Sequence, residues 1–308
     1  MQDQALVREA HHTTHIEGTQ LSLEQSTLLL SGLEVPGADP EDARELLNYR
    51  DAFQYVSQVS SQGKQITEDI ILRIHELLVK GVRENEASPG RYRERQNWIV
   101  DMATMKAVYT PPPPDAVPGL MMELVTWLKV ETDIHPVLVA GIAQLQFVDI
   151  HPFLDGNGRA ARLLSTLCLF NTGYDFKHLF TLSEYYDRDR PAYYRAIQSV
   201  REKEMDMTPW LEYFCAGLAT QMKEIRDAGE QQIRIELLSR THDLSGRQRS
   251  LLRIVFDESE SNIQDFEKRF PDVNRRTLQR DLRKLVEIGI VETRGQTNQL
   301  KYLLKEKT

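Results

Sequence analysis

Residues 151 to 162 read His-Pro-Phe-Leu-Asp-Gly-Asn-Gly-Arg-Ala-Ala-Arg, and this run constrains the local backbone more than any other part of the chain. Gly156-Asn157-Gly158 forms a small-residue turn, and the spacing of Leu163, Leu164 and Leu167 predicts a helix from Arg159 onward. A Gly-x-Gly turn leading into a helix lets backbone N–H groups converge on phosphate oxygens without interference from Cβ atoms. The positive end of the helix dipole faces the same anion. Arg159 and Arg162 lie three apart, so both can project from one side as bidentate phosphate donors. Asp155, just before the turn, is placed to hold a hard cation such as Mg²⁺ beside those phosphates. His151 is the residue of the run that can accept a proton near neutral pH.

The run resembles the signature of the Fic family, H-P-F-x-D/E-G-N-G-R-x-x-R, and matches it at every specified position. Members typically transfer AMP from ATP to a protein hydroxyl. The resemblance implies that His151 is the general base for a target Ser, Thr or Tyr, and that Asp155 ligates Mg²⁺ bridging the α- and β-phosphates. It makes Gly156, Asn157 and Gly158 the anion hole, with the Asn157 amide also on phosphate. Arg159 would hold the β-phosphate and Arg162 the γ-phosphate, with Phe153 as a core anchor. ATP and Mg²⁺ are the implied substrate and cofactor.

Two neighbouring segments extend the resemblance. Gly90-Arg91-Tyr92-Arg93 and Asn97-Trp98-Ile99-Val100 precede Tyr109-Thr110 and the four prolines Pro111 to Pro114. The β-branched Ile99, Val100 and Val108 predict a short hairpin ending in a polyproline segment. It looks like the family's flap, with Val108, Tyr109 and Thr110 pairing backbone to backbone with an extended target. The second segment is Leu182-Ser183-Glu184-Tyr185-Tyr186, with Tyr193-Tyr194 further along. In similar proteins aromatics after the motif helix line the adenine and ribose site, which assigns Tyr185 and Tyr186 there. Aromatics at helical spacing are also ordinary core residues.

At the N-terminus, Thr13-Thr14-His15-Ile16-Glu17-Gly18 matches the family's inhibitory pattern Ser/Thr-x-x-x-Glu-Gly/Asn. Thr13 and Glu17 share a helix face, and Gly18 is a natural stop. The resemblance implies that Glu17 pairs with Arg162, removing the partner of the γ-phosphate and misaligning the α-phosphate for attack. This is the class regulated by an N-terminal helix in cis. Some relatives use the same glutamate to position water and remove AMP again.

Composition fits a soluble, cytoplasmic protein. The chain has 308 residues and a net charge of −8, which argues against generic nucleic-acid coating by the whole chain. Its two cysteines, Cys168 and Cys215, exclude a disulfide framework, no apolar run is long enough for a membrane span, and the first residues do not begin a signal peptide. The average hides a contrast, because residues 244–308 hold 14 Lys/Arg against 10 Asp/Glu while the remainder holds 24 against 36.

The expected architecture is mainly α. Residues 1–65 form a helical region with the inhibitory motif, 66–215 the catalytic core with the β-hairpin flap, 216–243 a connecting helix and 244–308 a winged helix-turn-helix. In that last domain helices are expected at Arg249 to Phe256, Ile263 to Phe270 and Asn274 to Ile288. Strands at Ile290 to Thr293 and Leu300 to Leu303 flank a turn containing Gly295. The third helix resembles recognition helices of bacterial repressors and offers Arg275, Arg276, Gln279, Arg280 and Arg283 as DNA contacts. Winged helices also serve in dimerisation and protein docking, and relatives are often homodimers. Three functional alternatives stay open: a DNA-binding regulator with the core as nucleotide sensor, transfer of another phosphate-linked group, and AMP removal. His11 and His15 lie one turn apart but lack a third metal ligand, and His75, His135, His178 and His242 read as structural.

Overall fold

The computed structural model describes residues 2–101, 106–130, 133–176, 179, 181–258, 260–296 and 299–305, so His178 and residues 102–105 lie outside the described residues. Two compact units comprise residues 1–223 and 224–308.

The first unit is built around a helix that is buried on nearly every side. In α7 (Asn157–Asn171), Ala160, Ala161, Leu163, Leu164, Leu167, Leu169 and Phe170 are all buried, together with Arg159, Arg162, Ser165 and Thr166. A helix buried all round must be enclosed by others. The enclosing helices are α3 (Pro40–Ser61), α4 (Glu68–Val79) and α6 (Pro136–Ile150), with α5 (Val117–Lys129) against α6. Helices α1 (Gln2–Ile16) and α2 (Leu23–Leu30) precede them, and α1 packs on α3 and on α8 (Leu182–Arg188). Helix α9 (Arg190–Glu202) follows, started by the Asp189 side chain, which accepts from the Ala192 N–H at 2.9 Å. Helix α10 runs Thr208–Thr241, and its Trp210 indole donates to the Gly141 carbonyl in α6 at 2.8 Å. The flap is an antiparallel pair, β1 (Ile99–Asp101) and β2 (Lys106–Tyr109), with Ile99 opposite Tyr109 and a bulge before Val100.

The second unit contains α11 (Gly246–Asp257), α12 (Ile263–Arg269) and α13 (Arg275–Glu287), within a residue or so of the helix ends expected on the sequence except at the start of α11. Strands β3 (Ser261–Asn262), β4 (Val291–Arg294) and β5 (Lys301–Leu304) form an antiparallel sheet of order β3-β5-β4. β3 is too short to carry an alternating pattern and was not expected from the sequence. Ile235, Leu251, Val255, Phe266, Leu278, Leu282, Leu285 and Tyr302 make a core of its own. Among the described residues no helix is long and apolar enough to cross a membrane.

Candidate functional site

Helix α6 delivers His151. The residue terminates α6 in the left-handed region at φ 50°, an uncommon conformation for a non-glycine residue. Its Nδ1 lies 3.3 Å from the Val148 carbonyl oxygen. A carbonyl can only accept, so the proton sits on Nδ1 and the lone pair on Nε2. Burial pushes the imidazole pKa down to about 4, so the ring is neutral at pH 7.

The turn that follows is braced from behind. Phe153 is buried and stacks on His75 at 3.6 Å between ring centroids. His75 Nδ1 accepts from the Gly90 N–H at 3.1 Å, so its Nε2–H donates to the Asp155 carbonyl at 3.1 Å. Gly156 sits at φ 76°, and a Cβ there would lie 3.0 Å from Val79. The Asp155 carboxylate accepts from the Gly156 N–H at 2.6 Å and lies 3.4 Å from the Arg83 guanidinium.

Two motif residues are oriented differently from the sequence expectation. The Asn157 amide is engaged by the loop's own backbone. It accepts from the Phe153 N–H at 2.9 Å and donates to the Phe153 carbonyl at 2.8 Å, so both ends close the loop on itself. Arg159 is only 1% exposed and donates to Glu45 of α3 at 2.5 Å, with Asp155 at 3.6 Å. The buried Arg159 charge is balanced by Glu45, whose pKa burial raises and which comes from a helix far away in sequence.

Arg162 meets the end of α1. Gly18 at φ 115° stops that helix in a Schellman arrangement, with the Gly18 N–H on the His15 carbonyl at 3.1 Å and the Thr19 N–H on Thr14 at 3.3 Å. Glu17 is thereby held at the helix cap, where its Oε1 accepts from Arg162 at 2.7 Å. Arg162 also donates to the Thr13 hydroxyl at 2.8 Å and the Thr13 carbonyl at 3.1 Å. Burial opposes the charge on Arg162, but the Glu17 carboxylate outweighs it and holds the guanidinium pKa above its ordinary value. Glu17 lies so close over the turn that a Cβ on Gly158 would be 2.3 Å from Oε1. Further anchors hold α1 in place. Glu9 accepts from Ser183 and Tyr49, Arg8 pairs with Glu184, and His12 and His15 share Asp187 at 2.8 Å each.

Of the motif residues His151, Gly158 and Arg162 line one cleft of about 650 Å³, whereas Asp155, Gly156, Asn157 and Arg159 are not among its lining residues. Its walls include His151, Gly158, Arg162 and Glu17, the flap residues Ile99, Val100 and Val108, and Tyr193, Tyr194 and Arg201 of α9. The volume lies in the range of small-molecule sites. Tyr185 and Tyr186 do not line it. Tyr186 is fully buried against Tyr193 and Trp210, and Tyr185 packs on Gly217 and Tyr213. Val108 and Thr110 are exposed, whereas the Tyr109 hydroxyl donates to the Asp149 carbonyl at 2.9 Å. Arg201 lies over the Tyr109 ring at 3.7 Å and donates twice to Asp149, tying the flap base to α6.

Arg93 is a supporting residue that the sequence reading did not single out. Buried and with no carboxylate partner among the described residues, it donates to the carbonyls of His151 at 2.8 Å and Pro112 at 2.5 Å, with Ile150 at 3.5 Å. It joins the C-terminal end of α6 to the base of the flap, where the dipole favours a cation. Arg93→Met leaves these carbonyls unpaired and is expected to cost about 2–4 kcal/mol of stability. A denaturant midpoint measured with and without the substitution checks this.

Known proteins share this fold. Residues 65–169 match the Fic/DOC family, and residues 2–58 match the Fic/DOC family N-terminal region. The protein adenylyltransferase Fic of Drosophila ananassae is 29% identical over 221 residues, which are 67% of this chain and 42% of that protein. The protein adenylyltransferase fic-1 of Caenorhabditis elegans is 33% identical over 57% of this chain and 34% of its own length. The chain thus spans less than half the length of these curated relatives. A Fic family protein from Desulfovibrio desulfuricans G20 superposes with a TM-score of 0.64 at 26% identity, covering 100% of this chain and 88% of that one. A fragment of Fic-1 from C. elegans gives a TM-score of 0.61 at 27% identity over 73% of this chain and 63% of that one. With the signature loop, the helix bearing Glu17 and the flap gathered on one cleft inside the matched residues, the chain belongs to the Fic/DOC family.

Proposed function

We propose that the first unit transfers AMP from ATP to a hydroxyl of a target protein, and that Glu17 restrains it in cis. The observation that carries this reading is the shared cleft, in which a neutral His151, the Gly158 turn, Arg162 and the flap strands meet. The target oxygen attacks the α-phosphorus, the bond from that phosphorus to the bridging oxygen of the β-phosphate breaks, and pyrophosphate leaves. His151 Nε2 takes the hydroxyl proton. The turn's N–H groups and Arg162 carry the phosphate charge, and catalysis rests on positioning and charge neutralisation. Arg159 acts through Glu45 and Asp155 to hold the turn. Asn157 likewise acts as a brace.

The Asp155 carboxylate is 33% exposed, which suits Mg²⁺, a cation that takes one or two carboxylates and otherwise phosphate oxygens and water. Bound there, Mg²⁺ would neutralise phosphate charge. Among the described residues no group of three His, Cys, Asp or Glu forms a protein-only metal site.

With Glu17 on Arg162 and over Gly158, a carboxylate occupies the place of an anion, and resting activity is low. Intact-mass analysis of the Glu17→Gly protein and a lysate incubated with ATP and Mg²⁺ tests the reading. AMP adducts on hydroxyl side chains support it, and their absence under conditions where ATP binds overturns it.

The pH profile supplies a further prediction. A base whose conjugate acid has a pKa of about 4 stays competent across the neutral range and is lost as pH falls through 4. For the Glu17→Gly protein, kcat/KM is therefore expected to be flat between about pH 5.5 and 7.5. A limb near the ordinary histidine value would contradict a buried, neutral His151.

A further inference from the structure

The second unit carries a charged face for which AMP transfer has no use. In α13, Leu278, Asp281, Leu282 and Leu285 are buried, and at about 100° per residue they occupy one side of the helix. Arg276, Gln279, Arg280 and Arg283 fall within an arc of about 100° on the opposite side, and all four are exposed.

Among the described residues the arginines of this stripe make no ion pair, although Glu287 is exposed on the same arc one turn beyond Arg283. Elsewhere on the unit, Arg247 pairs with Asp281, Arg269 with Glu258, and Arg294 and Lys301 with Glu260. Arg275, at the edge of the stripe, lies 3.5 Å from Glu267. Among the described residues Arg276, Arg280 and Arg283 have no carboxylate at ion-pair distance. Three like charges held on two turns of helix repel one another, and a polyanion relieves that repulsion.

Shape and chemistry select among polyanions. α13 follows α12 after a short turn, and its 13 residues span about 20 Å on a cylinder about 10–12 Å across, which fits the roughly 12 Å major groove of B-DNA. Arginine forks match guanine edges and phosphates, and the amide of Gln279 matches adenine. A membrane surface would call for apolar side chains beside the arginines, and none of the exposed large hydrophobics lies on α13. We propose that the outer face of α13 docks in the major groove of duplex DNA.

The test is fluorescence anisotropy of the full chain with a labelled random-sequence duplex across a salt series. Polyglutamate and anionic lipid vesicles serve as parallel probes. The wild type is expected to bind the duplex with log affinity falling linearly in log salt. R276A/R280A/R283A is expected to lose at least about tenfold in affinity and to flatten the salt slope by about 2–3. R276K/R280K/R283K keeps the charge and so retains most of the random-duplex affinity. No wild-type binding at low salt, or an unchanged slope in the alanine variant, overturns the proposal. Equal capture of polyglutamate or vesicles through the same three arginines also overturns it, in favour of an acidic protein or a membrane. None of these residues belongs to the first unit, so AMP incorporation in a Glu17→Gly background reports separately on the proposed transfer.

Discussion

Glu17→Gly is expected to raise AMP incorporation by about 10- to 100-fold. The estimate follows from the charge-assisted contact between Glu17 and Arg162 at 2.7 Å, a class of bond worth about 1.5–3 kcal/mol. In the proposed transfer an incoming triphosphate has to displace that carboxylate from Arg162 and from its seat over Gly158. Deleting the side chain removes both the competition and the like-charge repulsion. Release by undocking the whole helix would be far harder, since Glu9, Arg8, His12 and His15 also tie α1 to its neighbours. The gain should therefore come from a local change at residues 17 and 18, with the fold intact. Initial rates at ATP well below saturation, with circular dichroism showing unchanged helix content, check both parts.

The second large effect is the loss at His151. In the Glu17→Gly background, His151→Ala is expected to reduce the rate by about 10²–10⁴-fold, the range ascribed to a positioned general base. Affinity for ATP should change little, because the phosphates are assigned to the turn and to Arg162. A nucleotide-binding titration beside the rate measurement separates these quantities. A parallel fall in both would make His151 a binding residue instead of a base.

The parts legible in the sequence are those fixed by local chemistry. Gly18 signals a helix stop, and it sits at φ 115° in a Schellman turn because no side chain tolerates that conformation well. The spacing of Leu278, Leu282 and Leu285 gave the buried face of α13 directly. What escaped the sequence depends on tertiary partners. Nothing near Arg159 announces that Glu45, on α3, will take its guanidinium. The tyrosines show the same limit. Tyr186 and Tyr193 lie seven apart, but Asp189 caps a new helix between them, so Tyr186 goes into the core while Tyr193 and Tyr194 reach the cleft. Arg93 reads as one more basic residue until its carbonyl partners, drawn from α6 and the polyproline segment, are assembled around it.

The most direct test of AMP transfer under Glu17 control is labelling with ATP carrying ³²P at either the α- or the γ-position, using wild type, Glu17→Gly and His151→Ala. Covalent α-label is expected to be weak in wild type, strong in Glu17→Gly and absent in His151→Ala, with no γ-label retained in any of them. Retained γ-label, or equal α-label in wild type and Glu17→Gly, would contradict AMP transfer under Glu17 control.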